Sequence, residues 1–156
     1  MNGVHEALAS EPLFAGLSRA EVELIASAAR PVRLGARERL LREGGPARGC
    51  WLIHSGCVAL DLAIPGRGQV VVQTLGRGDV LGWSWLVPPY RWQFGAVTVQ
   101  PTTMTELDTA QLRGLAEQDP RFGYTLMLAL FGAIAHRLQA TRARLLDLYR
   151  VPDGQP

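Results

Sequence analysis

Lysine is absent from this chain: all sixteen basic residues are arginine, set against fourteen acidic ones. That absence fits GC-rich codon usage better than any phosphate-binding purpose. The formal net charge is only +2, and the arginines are scattered rather than striped, so composition gives no electrostatic footprint for nucleic acid. Cysteine is scarce too. Cys50 and Cys57 are too few for a disulfide scaffold and lack the CxxC spacing of zinc or redox sites. His54 lies between them, but three ligands from one extended segment would point to opposite faces, so both cysteines read as structural. No apolar run approaches the roughly eighteen residues that cross a bilayer. The N-terminal MNGVHEALASEPLF lacks the basic-then-apolar layout of a signal peptide, so a cytoplasmic protein without membrane contact is expected.

What is present fits one soluble domain spanning 1–156, with 47% hydrophobic and 19% charged residues. Three regimes follow one another. Ser18 and Glu21 form a capping box ahead of an apolar face made by Val22, Leu24, Ile25 and Ala29, which predicts a short helix over 18–29. From Pro31 to Leu107 turn signals recur about every ten residues: Gly44-Gly45-Pro46, Ser55-Gly56, Pro65-Gly66, Gly76-Arg77-Gly78, Pro88-Pro89 and Gln100-Pro101. Between them lie CVALDLA, QVVVQTL and AVTVQ, short segments with alternating or β-branched character, so residues 31–107 are expected to form a β-roll. Helix then returns, first over 109–117 and then over 120–149, where Asp119 caps and Pro120 takes the first helical position.

In that last helix Met127, Phe131, Ile134, Leu138, Thr141, Leu145 and Leu148 alternate steps of four and three without a break. A seam of this kind marks a coiled coil and predicts a homodimer through these residues. A helix packed on its own domain accepts the same stripe, and because Ala129, Leu130 and Ala133 broaden the apolar face near its start, both uses can hold along one helix. Arg137, Arg142, Arg144 and Arg150 are read as a solvated face.

Three of the four tryptophans fall in LGWSWLVPPYRWQFGA, residues 81–96. Aromatics this dense make either a hydrophobic plug or a place where something flat binds. Ser84 in GWSWL lacks the second glycine of a nucleophile elbow. No His-Asp partnership or metal-ligand cluster is visible either, so no enzyme is expected.

The segment WLIHSGCVALDLAIPGRGQVVVQTLGRGDVLG resembles the repeated strand, glycine turn and strand of the cyclic nucleotide-binding domain family, with Gly56, Gly76, Gly78, Asp79 and Gly82 at expected places. LFAGLSRAEVELIA is similar to that family's opening helices, and AHRLQATRARLLDLY to the dimerisation helix of its catabolite activator protein (Crp/Fnr) branch. The resemblance runs from Leu13 to Tyr149. It implies a mainly β fold with flanking helices: a jelly-roll, or double-stranded β-helix, plus a long dimerising helix.

On this resemblance GDVLGWSWL falls on the phosphate-binding cassette, and the ligand-pocket candidates are Gly82, Trp83, Ser84, Trp85, Leu86, Arg91, Phe94, Gly95, Ala96 and Thr141. Gly82 is kept. The family's glutamate, directly after that glycine, is replaced by Trp83. Its arginine, two residues before the cassette's final alanine, is replaced by Phe94 if Ala96 is that alanine. Both polar anchors of a cyclic nucleotide are thus exchanged for large aromatics, which argues against tight binding of cyclic AMP or GMP. Arg91 stands three residues off and is the one local substitute for the lost arginine. Thr141 matches the family threonine that touches the base across the dimer, although a small polar residue fixing register at a seam reads the same way.

Trp83, Trp85 and Phe94 are expected to line the pocket, with Tyr90 and Trp92 nearer its rim. The pocket is then either closed or open to a flat, weakly charged effector. His5, His54 and His136 show no haem-ligating motif, and no cofactor is implied. The family's regulators carry a helix-turn-helix after the long helix. Here only Arg150 to Pro156 follow Tyr149, so direct DNA binding is not expected and output through a partner protein is.

Overall fold

A computed structural model of the chain describes residues 2–149. It contains eight strands: β1 (Ala29–Leu34), β2 (Arg39–Leu41), β3 (Cys50–Ser55), β4 (Val58–Ile64), β5 (Gly68–Leu75), β6 (Val80–Leu81), β7 (Gly95–Thr98) and β8 (Thr102–Leu107). They form two antiparallel four-stranded sheets, ordered β1-β8-β3-β6 and β2-β7-β4-β5, which is the jelly-roll the sequence resemblance implies. β3 is buried over its first four residues rather than alternating. Successive side chains of a strand point to opposite faces, so both faces of β3 are covered. Pro31 stands on β1, an edge strand, where a missing N–H costs no ladder bond.

Turn chemistry fixes the hairpins. Gly56, between β3 and β4, has φ +98°, and a Cβ there would lie 2.4 Å from the Thr102 hydroxyl oxygen and 2.6 Å from the Pro101 carbonyl oxygen, so only glycine fits. At the β5–β6 turn the Asp79 carboxylate accepts from the Gly76 N–H at 2.9 Å. The Gly78 N–H donates to the Ile53 carbonyl, tying the turn to β3.

Four helices flank the roll: α1 (Asn2–Ala9), α2 (Arg19–Ser27), α3 (Thr109–Gln118) and α4 (Pro120–Leu148). The Ser18/Glu21 capping box is present, with both reciprocal bonds made. The helix it starts ends at Ser27, short of the expected 18–29, because Ala29 pairs with Leu107 and opens β1 instead of extending the apolar face. α1 was not expected at all. Leu8 of that helix is fully buried in one core cluster with Phe14, Ile25, Leu52, Met104, Leu112, Phe122 and Leu126.

Two faces of α4 carry different work. Phe122, Leu126 and Leu130 are buried in the core, whereas Met127, Phe131, Leu138, Leu145 and Leu148 are exposed, Phe131 at 67%. The Asp119 carboxylate accepts from the N–H groups of Arg121 and Phe122 at 3.1 and 3.2 Å, and Pro120 supplies the fixed φ of a first helical residue. Asp119→Ala is therefore expected to lower stability by about 1 kcal/mol. Urea unfolding checks this, and a midpoint equal to the parent's would mean that Pro120 alone sets the helix start.

Candidate functional site: a filled pocket at the β6–β7 connection

The connection from β6 to β7 holds the tryptophan cluster. It opens with Gly82 at φ +87°, a backbone that favours glycine. A Cβ there would stand 3.0 Å from the Trp92 ring and 3.2 Å from the Gly49 carbonyl oxygen. The close approach that requires glycine is thus to an aromatic ring of the chain itself. A one-turn 3₁₀ helix, Ser84–Leu86, follows, with its Ser84 and Trp85 buried.

Residues 90–92 then run beside the β2–β3 loop. Gly44 N–H donates to Trp92 O, Trp92 N–H to Gly45 O and Ala47 N–H to Tyr90 O, all at 2.8–2.9 Å. This pairing brings Trp92 inward. It is only 7% exposed, and its ring centroid lies 6.0 Å from that of Trp51 at a tilt of 47°, a favourable aromatic geometry. The expectation that Trp92 sits near the rim is corrected, since a strand-like bridge to the β2–β3 loop carries it into the core. Tyr90 is exposed.

The candidate residues separate into three groups. Gly82, Trp83, Ser84 and Phe94 meet around a void of about 20 Å³, walled also by Leu41, Leu60, Leu81 and Trp92. Trp85 and Leu86 lie on a second void of about 10 Å³ that shares Gly82 and Trp83 with the first. Each has room for about one water molecule and no more. Arg91, Gly95, Ala96 and Thr141 line neither. The exposed Arg91 guanidinium donates to the Gly44 carbonyl at 2.9 Å, which engages the one local substitute for a phosphate ligand. Gly95 and Ala96 belong to β7, and a Cβ on Gly95 would strike the Asp61 carboxylate and the Arg39 guanidinium. Those two groups form a bidentate bridge at 2.8 Å across the sheet. Thr141 is exposed, and its hydroxyl donates back to the Arg137 carbonyl.

Sequence reasoning missed one residue. Arg137, read as part of a solvated face, is 8% exposed and borders both voids. Its guanidinium lies 4.6 Å from the Trp83 ring centroid, and its Nη2 donates to the Val80 carbonyl. Burial pushes its pKa down, opposed by the Asp79 charge. The signal was in the spacing: Phe122, Leu126, Leu130, Ala133 and Arg137 continue the inner stripe of α4 in steps of four and three, so Arg137 belongs to the face that meets the roll. Arg142 and Arg144 are exposed as expected, and Arg150 lies outside the described residues.

Nearby, Cys50 is buried and its thiol is pushed up to about 12 by desolvation, so it is inert as a nucleophile at neutral pH. His54 is held by the Glu11 carboxylate at 3.1 Å and the Thr105 hydroxyl at 2.7 Å. Larger hollows exist elsewhere. One of about 650 Å³ runs between the Pro12–Leu17 segment and α4, and it is an open groove lined in part by Leu128, Ala129 and Gly132.

The family model of the cyclic nucleotide-binding domain matches residues 31–119, more than half of the chain. The chain belongs to the cyclic nucleotide-binding domain family. Among solved structures it is similar to a cyclic nucleotide-binding domain from Methylobacillus flagellatus KT, at 23% identity and a TM-score of 0.78, over 99% of this chain and 85% of that one. It is also similar to the N-terminal domain of a transcriptional regulator from Streptomyces coelicolor A3(2), at 21% identity and a TM-score of 0.67, over 94% and 98% of the two chains. The catabolite activator protein of Thermus thermophilus shares 24% identity and a TM-score of 0.68, over 89% of this chain and 63% of its own. Identities this low establish the shared fold. No curated protein matches. Among the described residues no helix is long and apolar enough to cross a membrane. The family is typically regulatory rather than catalytic.

Proposed function

We propose that this chain is a dimeric, non-enzymatic sensor or scaffold of the cyclic nucleotide-binding fold that cyclic AMP and cyclic GMP do not control, and that it acts in the cytoplasm through a partner protein. The observation that carries this reading is the small space at the cassette: Trp83 and Phe94, which the resemblance sets at the family's carboxylate and arginine positions, border a void of only about 20 Å³. A cyclic nucleotide needs both anchors and far more room. Loss of a charge-assisted bond to phosphate costs about 1.5 to 3 kcal/mol, and here a ring also fills the vacated space. The reading is supported further by the seam on α4, whose members apart from the half-buried Ile134 are exposed in the single chain while other residues dock the helix on its own roll. An apolar stripe left outside in this way suits a parallel two-fold pair of helices.

Calorimetric titration with cyclic AMP and cyclic GMP is expected to give no saturable heat at micromolar concentrations. A micromolar constant would overturn the reading. A second reading, a relative of Crp/Fnr-type regulators that answers a non-canonical effector or acts on DNA with a partner, has in its favour the likeness to the S. coelicolor regulator's N-terminal domain. A mobility shift on genomic fragments by the purified chain would favour it over the scaffold.

A further inference from the structure

The two sheets end on four edge strands: β1, β6, β2 and β5. An edge strand leaves a row of backbone N–H and C=O groups unpaired, and proteins guard such rows with proline, charge or shortness. Three of the four are guarded in this way. β1 carries Arg30, Pro31 and Arg33, β2 is three residues long and holds Arg39, and β6 is only two residues long. β5 differs. It runs for eight residues, GQVVVQTL, with no proline and no charged side chain. Its ladder is with β4 alone, so its outer edge has no strand partner among the described residues. Gly68, Gln69, Val71, Val72 and Thr74 are exposed, the two valines at 57% and 47%. Val72 is the extra residue of a β-bulge, because Leu60 pairs with Gln73 and Asp61 with Val71. Residues 68–71 and 73–75 keep regular pairing on either side of it.

Charge decides what can lie along this edge. Arg67 stands immediately before β5 and Arg77 two residues after its end, both exposed and neither in an ion pair among the described residues. The edge is thus a neutral, valine-bearing strip with an unpaired cation beyond each end. A second copy of the chain is disfavoured as its occupant, because an antiparallel two-fold pair of β5 edges sets Arg67 of each copy close to Arg77 of the other. An extended segment with an acidic residue at either end meets no such repulsion. We propose that the free edge of β5 is the docking site for an extended, β-branched segment of a partner protein that carries acidic residues at both ends. The segment adds to the four-stranded sheet as a fifth strand. Main-chain hydrogen bonds supply its affinity, and Val71, Val72 and the two flanking arginines select its side chains. The proposal rests on the reading that this chain acts through a partner protein, and it assigns that partner a surface and a chemistry.

The test titrates the full chain into a fluorescein-labelled peptide, Asp-Glu-Thr-Val-Thr-Val-Thr-Val-Glu-Asp, and follows its anisotropy. Saturation is expected below about 1 mM, the range of weak peptide complexes. Two further peptides are N-methylated on alternate residues, one on the odd positions and one on the even. Only alternate N–H groups of an added strand face the edge, so one of these peptides should lose at least about tenfold in affinity and the other far less. Replacing the acidic residues by arginine should weaken binding to the parent about fivefold, and Arg67→Glu with Arg77→Glu should reverse that preference. Both arginines are exposed, so this variant is expected to keep the parent's thermal midpoint. No saturation by the acidic peptide, no loss with either N-methylated peptide, or an unreversed preference in the variant would overturn the site. A fall in the parent's mass on adding peptide, read by light scattering, would mean that a second copy holds the edge and would overturn it equally. A chain that binds neither peptide nor cyclic nucleotide loses this site and keeps the partner reading, whereas one that binds cyclic nucleotide loses that reading whatever the peptide does.

Discussion

Glutamate at both Phe131 and Leu138 is expected to turn a dimer into a folded monomer. The two side chains are 67% and 49% exposed in the single chain, so the roll and its helices lose nothing when they change. In a two-fold seam, however, each substitution appears twice, placing four like charges in a strip that must be dry. Burying charge without a partner costs several kcal/mol per group, enough to move a micromolar dimer out of reach. Light scattering at about 10 μM should therefore report half the parent's mass, with an unchanged far-ultraviolet spectrum. Leu126→Glu, on the inner face of the same helix, should instead unfold the chain, since Leu126 is 1% exposed. Ile134 is a poorer probe than its seam position suggests, because it is half-buried and lines the small void beside Arg137. If the parent itself scatters as a monomer, the exposed stripe serves a different partner and the dimer is wrong.

How far the sequence could be read depends on which interactions are local. Ser18 with Glu21 and Asp119 with Pro120 announce helix starts because their hydrogen bonds close within three residues. The glycine turns announce hairpins for the same reason. The end of α2 was misjudged by two residues because it is decided by pairing of Ala29 with Leu107, seventy-eight positions away in the chain. Trp92 was placed at the rim because its partners, Gly45 and Trp51, belong to another part of the fold. Arg137 is the instructive miss. Its charge argued for solvent and its spacing for the core, and the spacing won because a guanidinium can lie over an indole and reach a strand-end carbonyl while its stem packs among apolar neighbours.

That arginine also shapes what happens if the family's polar anchors are put back. Trp83→Glu together with Phe94→Arg is expected to create binding of cyclic AMP where the parent has none. Removing the two rings opens the space they fill beside Leu41, Leu60 and Leu81. It also supplies a carboxylate and a guanidinium at the two positions where the resemblance sets the family's anchors. Each restored charge-assisted bond contributes about 1.5 to 3 kcal/mol, so adding the second to either single variant should raise affinity by a factor of about 10 to 150. The single variants are expected to behave differently. Trp83→Glu alone brings a carboxylate to the Arg137 guanidinium, which now stacks on the ring at 4.6 Å, and the resulting ion pair should stabilise the fold while leaving the phosphate without a partner. Phe94→Arg alone adds a second cation near an unpaired one and should lower the thermal midpoint. Calorimetry with cyclic AMP on all three variants checks the series. Saturable binding by the double variant alone would mean that the aromatics are plugs in a cassette whose backbone is otherwise intact. No binding, in a double variant that still folds, would mean that the pairing of residues 90–92 with the β2–β3 loop closes the site independently of the two rings.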